Sequence, residues 1–389
     1  MTNTPAYYDA DTCDIRDFAA LIDQSLQAED VPHASDIQKN VPIYDMADLR
    51  DALLNADARR ALMAEWAAVL HRGAGVVALR NTYTNTAVLD QATHVYQDII
   101  AQEKQANGGG ADHFATAGAN DRIWNALQKL CEAAPETYFA YFANATIAAI
   151  SEAWLGPNFQ MTAQVNLVHP GGAAQQAHRD YHLGFQSADV SAQYPAHVHD
   201  VSPILTLQGA IAHCDMPIES GPTKILPFSQ AYRPGYAAWR RDDFRAMFEE
   251  RHVQIALSKG DTLFFNPALF HAAGANTSAD IHRFANLLQV SSAFGRAMET
   301  IDRDKICRLT YPVAVAAQSR GTVDAADMSA FIASTAEGYA FPTNLDRDPP
   351  VGGLAPETQA AFYARALQDG MNPDAFGTHL DAMAAAQRA

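Results

Sequence analysis

Basic clusters, long apolar runs and paired cysteines are all missing from this 389-residue chain. Without a concentration of lysine and arginine, and with a formal charge of -17, it offers no surface fitted to a phosphate backbone or an anionic membrane. No run nears the roughly 20 apolar residues of a membrane span. The opening MTNTPAYYDADTCDIRDF lacks the basic start and apolar stretch of a secretory signal. Cys13, Cys131, Cys214 and Cys307 lie far apart with no CxxC pair, which excludes both a zinc-type spacing and a disulfide framework. A cytoplasmic protein acting on a small molecule, with no nucleic acid or membrane as partner, is expected. Gly-x-Ser-x-Gly and phosphate-binding loops are also missing, and His178-Arg179-Asp180 lacks the accompanying motifs of a protein kinase.

What is present is the composition of a globular protein, 48% hydrophobic and 18% charged, with enough length to bury a substantial core. Residues 47–71 place apolar side chains at helical spacing, Gly73 and Gly75 break the pattern, and Val76 to Leu79 read as a strand. Helical patterns return over 86–105 and 122–154, on either side of a glycine-rich loop at 107–110. From Gln160 the texture changes to short β-rich runs, MTAQVNLVHP, ILTLQGAIAH, HVQIALSKGDTLFF and IHRFANLLQV, punctuated by Gly, Pro, Asn and Asp. Strands without intervening helices, following a helical half, predict an α+β fold in which helices buttress an antiparallel sandwich or jelly roll. Past Arg303 the chain is Ala-rich and helical, with a break at Pro349-Pro350. The expected divisions are an N-terminal extension over 1–45, a main domain over 46–300, and a helical C-terminal extension over 301–389 packed on that domain.

Two histidines and a carboxylate can occupy one face of an octahedral metal and leave three positions free, as in non-heme Fe(II) oxygenases. His178 and Asp180 stand two apart; on extended backbone they share a face, and Arg179 points away. A His-x-Asp triplet arises by accident roughly once in a chain with this many His and Asp. Indeed a second copy, His379-Leu380-Asp381, sits in a helical segment where the two side chains diverge. Downstream of the first copy, Gly260-Asp261 turns into the apolar run Thr262 to Phe265, and His271 follows Asn266-Pro267-Ala268-Leu269-Phe270. After another turn at 274–278 comes a strand with Arg283, expected to pair with the strand that supplies His271. A guanidinium there suits a terminal carboxylate, which its planar fork binds through two hydrogen bonds. His282 falls on the opposite face and is read as packing or surface.

The order His178-x-Asp180, Gly221-Pro222-Thr223-x-Ile225-Leu226-Pro227, Gly260-Asp261-x-Leu263-Phe264-Phe265, His271, Asn276 and Arg283 resembles the phytanoyl-CoA dioxygenase (PhyH) family of Fe(II)/2-oxoglutarate oxygenases. The resemblance implies a double-stranded β-helix of cupin-like form. It implies Fe(II) on His178, Asp180 and His271, with 2-oxoglutarate and O2 as cosubstrates and Arg283 gripping the far carboxylate of the keto acid. It further implies decarboxylation of 2-oxoglutarate to succinate, coupled to oxidation of a C-H bond. A carboxylate at 180 predicts hydroxylation or a related oxidation, since halogenases of this kind carry a small residue there. Two departures stand out: Pro227-Phe228-Ser229-Gln230 replaces Pro-Gly-Ser-His, and Ala285 replaces a small hydroxyl residue two past the Arg. Gln164 and Asn166, alternating with Val165 and Leu167, are candidates for the missing cosubstrate contacts, or else satisfy backbone groups.

Tyr181 and His182, beside the triplet, are candidate substrate contacts, as are Arg122 and Trp124 in a stretch starting at Asp112-His113-Phe114 that reads as a lid or as ordinary helix packing. Two other readings remain open. His197-Val198-His199-Asp200 resembles a cupin-like metal pair of a hydrolase or isomerase, although no Glu follows at the required distance. The other is a non-catalytic ligand-binding protein on the same fold.

Overall fold

The computed structural model describes residues 5–107, 119–180, 186–352 and 354–389. Ten strands are present among them: β1 (Asp36–Gln38), β2 (Val41–Asp45), β3 (Val76–Arg80), β4 (Asn120–Ile123), β5 (Gln160–Val168), β6 (Thr206–Ala212), β7 (Lys224–Leu226), β8 (Thr262–Phe265), β9 (Phe270–Ala272) and β10 (Arg283–Ser291). Eight form a major sheet in the order β1-β2-β3-β8-β6-β10-β5-β4, antiparallel except for the β2–β3 pair. β7 and β9 form a small second sheet. Isolated bridges widen it, His178 pairing with His271 on one side and Val253 with Ile225 on the other. The result is the α+β, cupin-like architecture expected from the order of elements.

Alternation along the strands of the major sheet separates two environments. On β5, Met161, Ala163 and Val165 join the main apolar core, while Gln164 and Asn166 face a cavity between the two sheets. The helices Ala87–Asn107, Pro135–Phe142 and Ala145–Leu155 contribute side chains to that core. β6 and β8 are buried at every residue, consistent with their mainly apolar sequences, although Thr206, Gln208 and Thr262 are buried with them. The helices Arg303–Arg320, Ala325–Thr335, Gln359–Gln368 and Pro373–Ala386 extend the same core through Ile306, Tyr311, Phe331, Phe362 and Phe376. A smaller apolar cluster joins Leu226, Phe270 and Ala272 of the second sheet to Phe18 of the helix Ile15–Ile22 and to Phe244 and Phe248 of the helix Asp242–Arg251.

Three expectations are corrected. Residues 47–71 form two helices, Met46–Leu54 and Ala56–His71, because Asn55 takes an extended conformation and its side chain caps the second by accepting from Asp57 N and Ala58 N. The stretch 122–154 does not begin as helix. Asn120–Ile123 is a strand paired with β5, and helices start only at Ala126, since tertiary pairing overrides local pattern there. Finally, β10 does not pair with the strand carrying His271: it lies between β5 and β6 in the major sheet, whereas β9 pairs with β7. The connection between them crosses from one sheet to the other, pinned by Asn276, whose Nδ2 donates to Val168 O and Ile281 O.

Candidate metal centre

His178 and His271 are brought together by backbone pairing. His178 N donates to His271 O at 3.0 Å and His271 N to His178 O at 3.1 Å. Asp180 is held one step further on, its N–H donating to Pro267 O and its carbonyl accepting from the Tyr236 hydroxyl, each at 3.0 Å. The Asp180 carboxylate then stands 3.7 Å from His178 Nε2 and 3.6 Å from His271 Nε2, and one donor atom from each residue lies within 4.8 Å of the others. Among the described residues this is the one His/Cys/Asp/Glu group so arranged.

The imidazole tautomers follow from the hydrogen bonds. His178 Nδ1 sits 2.9 Å from Gln176 O and His271 Nδ1 2.8 Å from Leu269 O, and a carbonyl only accepts. Each Nδ1 therefore carries the proton, and each Nε2 presents a lone pair to the shared space, the arrangement metal-binding histidines use. Burial and the neighbouring His271 ring hold the His178 pKa below its ordinary value, favouring that neutral form. Burial pushes the Asp180 carboxyl up, but His271, His178 and Gln208 outweigh it, and the group lies below the usual carboxylate range. Gln208 on β6 donates from Nε2 to Asp180 Oδ2, leaving Oδ1 without a protein donor among the described residues. Two imidazoles with Nδ1 turned to a carbonyl and Nε2 to the shared space, and a carboxylate oriented from behind, fit a divalent transition metal.

The centre opens into a cavity of about 580 Å³ whose wall includes Arg283, Gln164, Asn166, Arg122 and Trp124. Arg283 is 6% exposed, and burial lowers its guanidinium to about 10. Its Nη1 donates to Ser220 O at 3.0 Å and Gly274 O at 3.1 Å, while Nε and Nη2 have no hydrogen bond among the described residues. Gly221, at φ +75°, brings the Ser220 loop against Gly274 and Ala275, where a Cβ would strike the Ala275 carbonyl. Asn166 Oδ1 is buried with no hydrogen-bond partner, and Gln164 Oε1 accepts from Arg122 at 3.4 Å. Neither amide side chain satisfies a backbone group among the described residues.

Other sequence candidates fall elsewhere. Tyr181, His182 and the segment Asp112-His113-Phe114 lie outside the described residues. His199 Nε2 donates to Tyr194 O and Asp200 pairs with Arg233, so the 197–200 motif forms no metal pair. His282 is exposed, against His169, and Asp381 pairs with Arg308. Phe228 and Gln230, the two departures in the proline loop, pack toward the Gly73–Gly75 turn: Phe228 N donates to Ala74 O and Gln230 Nε2 to Gly73 O. Sequence reading missed Gln208, whose one signal is a lone amide inside the apolar run ILTLQGAIA, and it missed Trp239 and Arg240 on the cavity wall.

Sheet order, cavity and a two-histidine, one-carboxylate group together define a cupin-like oxygenase-type protein. A family model described as phytanoyl-CoA dioxygenase (PhyH) matches residues 59–285, more than half of the chain, and the chain belongs to that family. A curated relative, dioxygenase andF of Emericella variicolor, is 25% identical over 142 residues, which is 35% of this chain and 43% of the relative. The chain thus matches less than half the length of that relative. Among solved structures, the non-heme alpha ketoglutarate dependent epimerase SnoN from nogalamycin biosynthesis is 20% identical, with TM-score 0.42 over 60% of this chain and 82% of its own. The carbocyclase SnoK from the same biosynthesis is 19% identical, with TM-score 0.43 over 63% and 89%. Fe(II), 2-oxoglutarate and O2 are the cofactor set of the PhyH family.

Proposed function

We propose that the protein oxidises an unactivated C-H bond of a small metabolite, by hydroxylation or a related outcome, while 2-oxoglutarate is decarboxylated to succinate. The observation that carries this reading is the pairing of two imidazoles, both fixed as Nε2 donors, with an ionised Asp180, in a cavity that also holds a buried guanidinium. His178, Asp180 and His271 would hold Fe(II), and Arg283 would take the terminal carboxylate of 2-oxoglutarate with its uncommitted Nε and Nη2 edge. Fe(II) with 2-oxoglutarate and O2 supplies the oxidising chemistry, which no side chain of this cavity could perform. The chain's own part is to orient, to exclude bulk water and to keep charge in place. Gln208 holds Asp180 Oδ2, Phe265 screens one side of the His271 ring at 4.7 Å between ring centres, and Tyr236 fixes the backbone at Asp180. Gln164 and Asn166 line the same wall and are suited to the remaining polar contacts of the keto acid or the substrate.

Anaerobic addition of Fe(II) and 2-oxoglutarate should produce the weak visible charge-transfer band of a chelated complex, and admitting O2 with a metabolite panel should release succinate. A protein that gives no band under saturating Fe(II) and 2-oxoglutarate is not such an enzyme, and one that gives the band but no substrate-stimulated succinate favours the binding-protein alternative.

A further inference from the structure

The cavity wall is the reverse of the molecule in charge. The chain carries a formal charge of -17, yet the described residues lining the cavity include Arg122, Arg179, Arg240 and Arg283 against a single carboxylate, Asp180, which faces the metal position. Two of the four guanidiniums have assigned work. Arg283 faces the keto-acid end, and Arg179 is buried behind the ligands, donating to Ser229 O and lying against Phe270 and Tyr236.

Arg240 has neither task. Its Nη1 donates to Tyr236 O at 3.2 Å and its Nη2 to Gln186 O, both backbone carbonyls, and among the described residues no carboxylate pairs with it. Its guanidinium lies over Trp239, with Cζ 4.0 Å from the ring centre. Arg245 approaches the same indole, with Cζ 6.0 Å from the ring centre. Trp239 in turn stands 6.5 Å from the His178 ring, centre to centre. Arg245 has its own partner in Asp242 at 3.5 Å, whereas Arg240, a half-buried cation over an indole, has no carboxylate among the described residues; it is under-compensated, and an incoming anion relieves it. Burial and the Arg245 charge both lower the Arg240 pKa, which is the same imbalance seen from the proton's side.

The geometry points to Trp239 and Arg240 as the substrate anchor: the substrate is a small organic anion whose acidic group sits on Arg240, with its oxidised carbon a few bonds away, toward the metal. Cationic substrates such as quaternary amines are disfavoured, because the described wall offers them no carboxylate apart from the one committed to the metal. Amide groups with unpartnered oxygens, Gln186 Oε1 at this end and Gln208 Oε1 beside Asp180, would meet hydroxyl or N–H groups on the same molecule.

This inference rests on the oxygenase reading, and its test separates the two. The 2-oxoglutarate site is first filled anaerobically in the presence of Fe(II) and followed by the visible band. Benzoate, benzamide and benzylamine, probes of one shape and three charges, are then titrated by tryptophan fluorescence. Benzoate should bind about ten-fold or more tighter than the other two, the size expected of a charge-assisted contact. Arg240→Gln should remove that preference while leaving the 2-oxoglutarate band and its affinity unchanged, and Arg240→Lys should restore part of it. Equal binding of benzamide or benzylamine, a preference that survives in Arg240→Gln, or no binding of any probe at millimolar concentration would each overturn the anchor. Absence of the band itself would count against the oxygenase reading alone, because the fluorescence comparison of wild type with Arg240→Gln needs no metal.

Discussion

Replacing Arg283 by Gln is the most informative perturbation of the cosubstrate end. Nη1 of this guanidinium ties the Ser220 and Gly274 carbonyls together, and its Nε–Nη2 edge, without a hydrogen bond among the described residues, is the edge proposed to take the keto acid. Glutamine can replace at most one carbonyl contact and none of the charge. A hydrogen bond to a charged group contributes about 1.5–3 kcal/mol, so losing a two-pronged carboxylate contact should cost roughly 3–5 kcal/mol, a weakening of about 10²–10⁴-fold in 2-oxoglutarate binding. Loss of the carbonyl contacts should lower stability by a further ~1–3 kcal/mol. The assay is anaerobic titration of 2-oxoglutarate into the Fe(II)-loaded protein, read from the visible band, with Fe(II) binding and the urea midpoint measured beside it. Arg283→Lys keeps the charge without the fork and should fall between wild type and Arg283→Gln. If Arg283→Gln binds 2-oxoglutarate within about three-fold of wild type, below the loss of even one charged hydrogen bond, Arg283 does not hold the cosubstrate.

Two further outcomes follow from groups that touch neither ligand. Gln208→Leu removes the amide that donates to Asp180 Oδ2 and should weaken Fe(II) binding about 10–100-fold, with Gln208→Glu at least as damaging because it sets a second carboxylate beside the first; equilibrium dialysis against Fe(II) or Co(II) measures it, and unchanged affinity would show that the packed loop alone orients Asp180. His213 is buried behind the sheet between Thr93 Oγ1 at 2.8 Å and Tyr141 Oη at 2.7 Å, and burial, with Lys259, pushes its pKa down to about 3. The folded state thus refuses a proton that the unfolded chain takes up near 6.5, so this stability is whole above about pH 6.5 and drains away as pH falls toward 3, at up to about 1.4 kcal/mol per pH unit. Urea midpoints from pH 7 to 4 should fall more steeply for wild type than for His213→Gln, and parallel curves would refute the assignment.

Much of the site was legible before any fold was known, because metal chemistry restricts the side chains and short spacings carry direction. His178 and Asp180 could be read as one face of extended backbone, and Gln164 and Asn166 as one face of a strand, since side-chain period two needs only local conformation. Arg283 could be named for its charge and its place after His271. Its partner strand could not. Which strands pair is decided by long-range burial, and the wrong expectation that β9 and β10 are neighbours came from reading closeness along the chain as closeness in the sheet. The same limit hid the strand at Asn120–Ile123, whose four residues are extended because β5 offers an edge.

Local rules sufficed for the β-rich middle, the net negative charge and the choice of His178, Asp180 and His271 as candidate ligands, since composition, periodicity and chemical type do not depend on where distant segments lie. Tertiary structure alone decided that His178 and His271 share backbone hydrogen bonds across 93 positions, that Gln208 reaches Asp180, and that Arg240 comes to rest over Trp239, on the wall of the same cavity, with no carboxylate partner among the described residues. Those are matters of convergence, and convergence depends on the packing of the two sheets around one cavity.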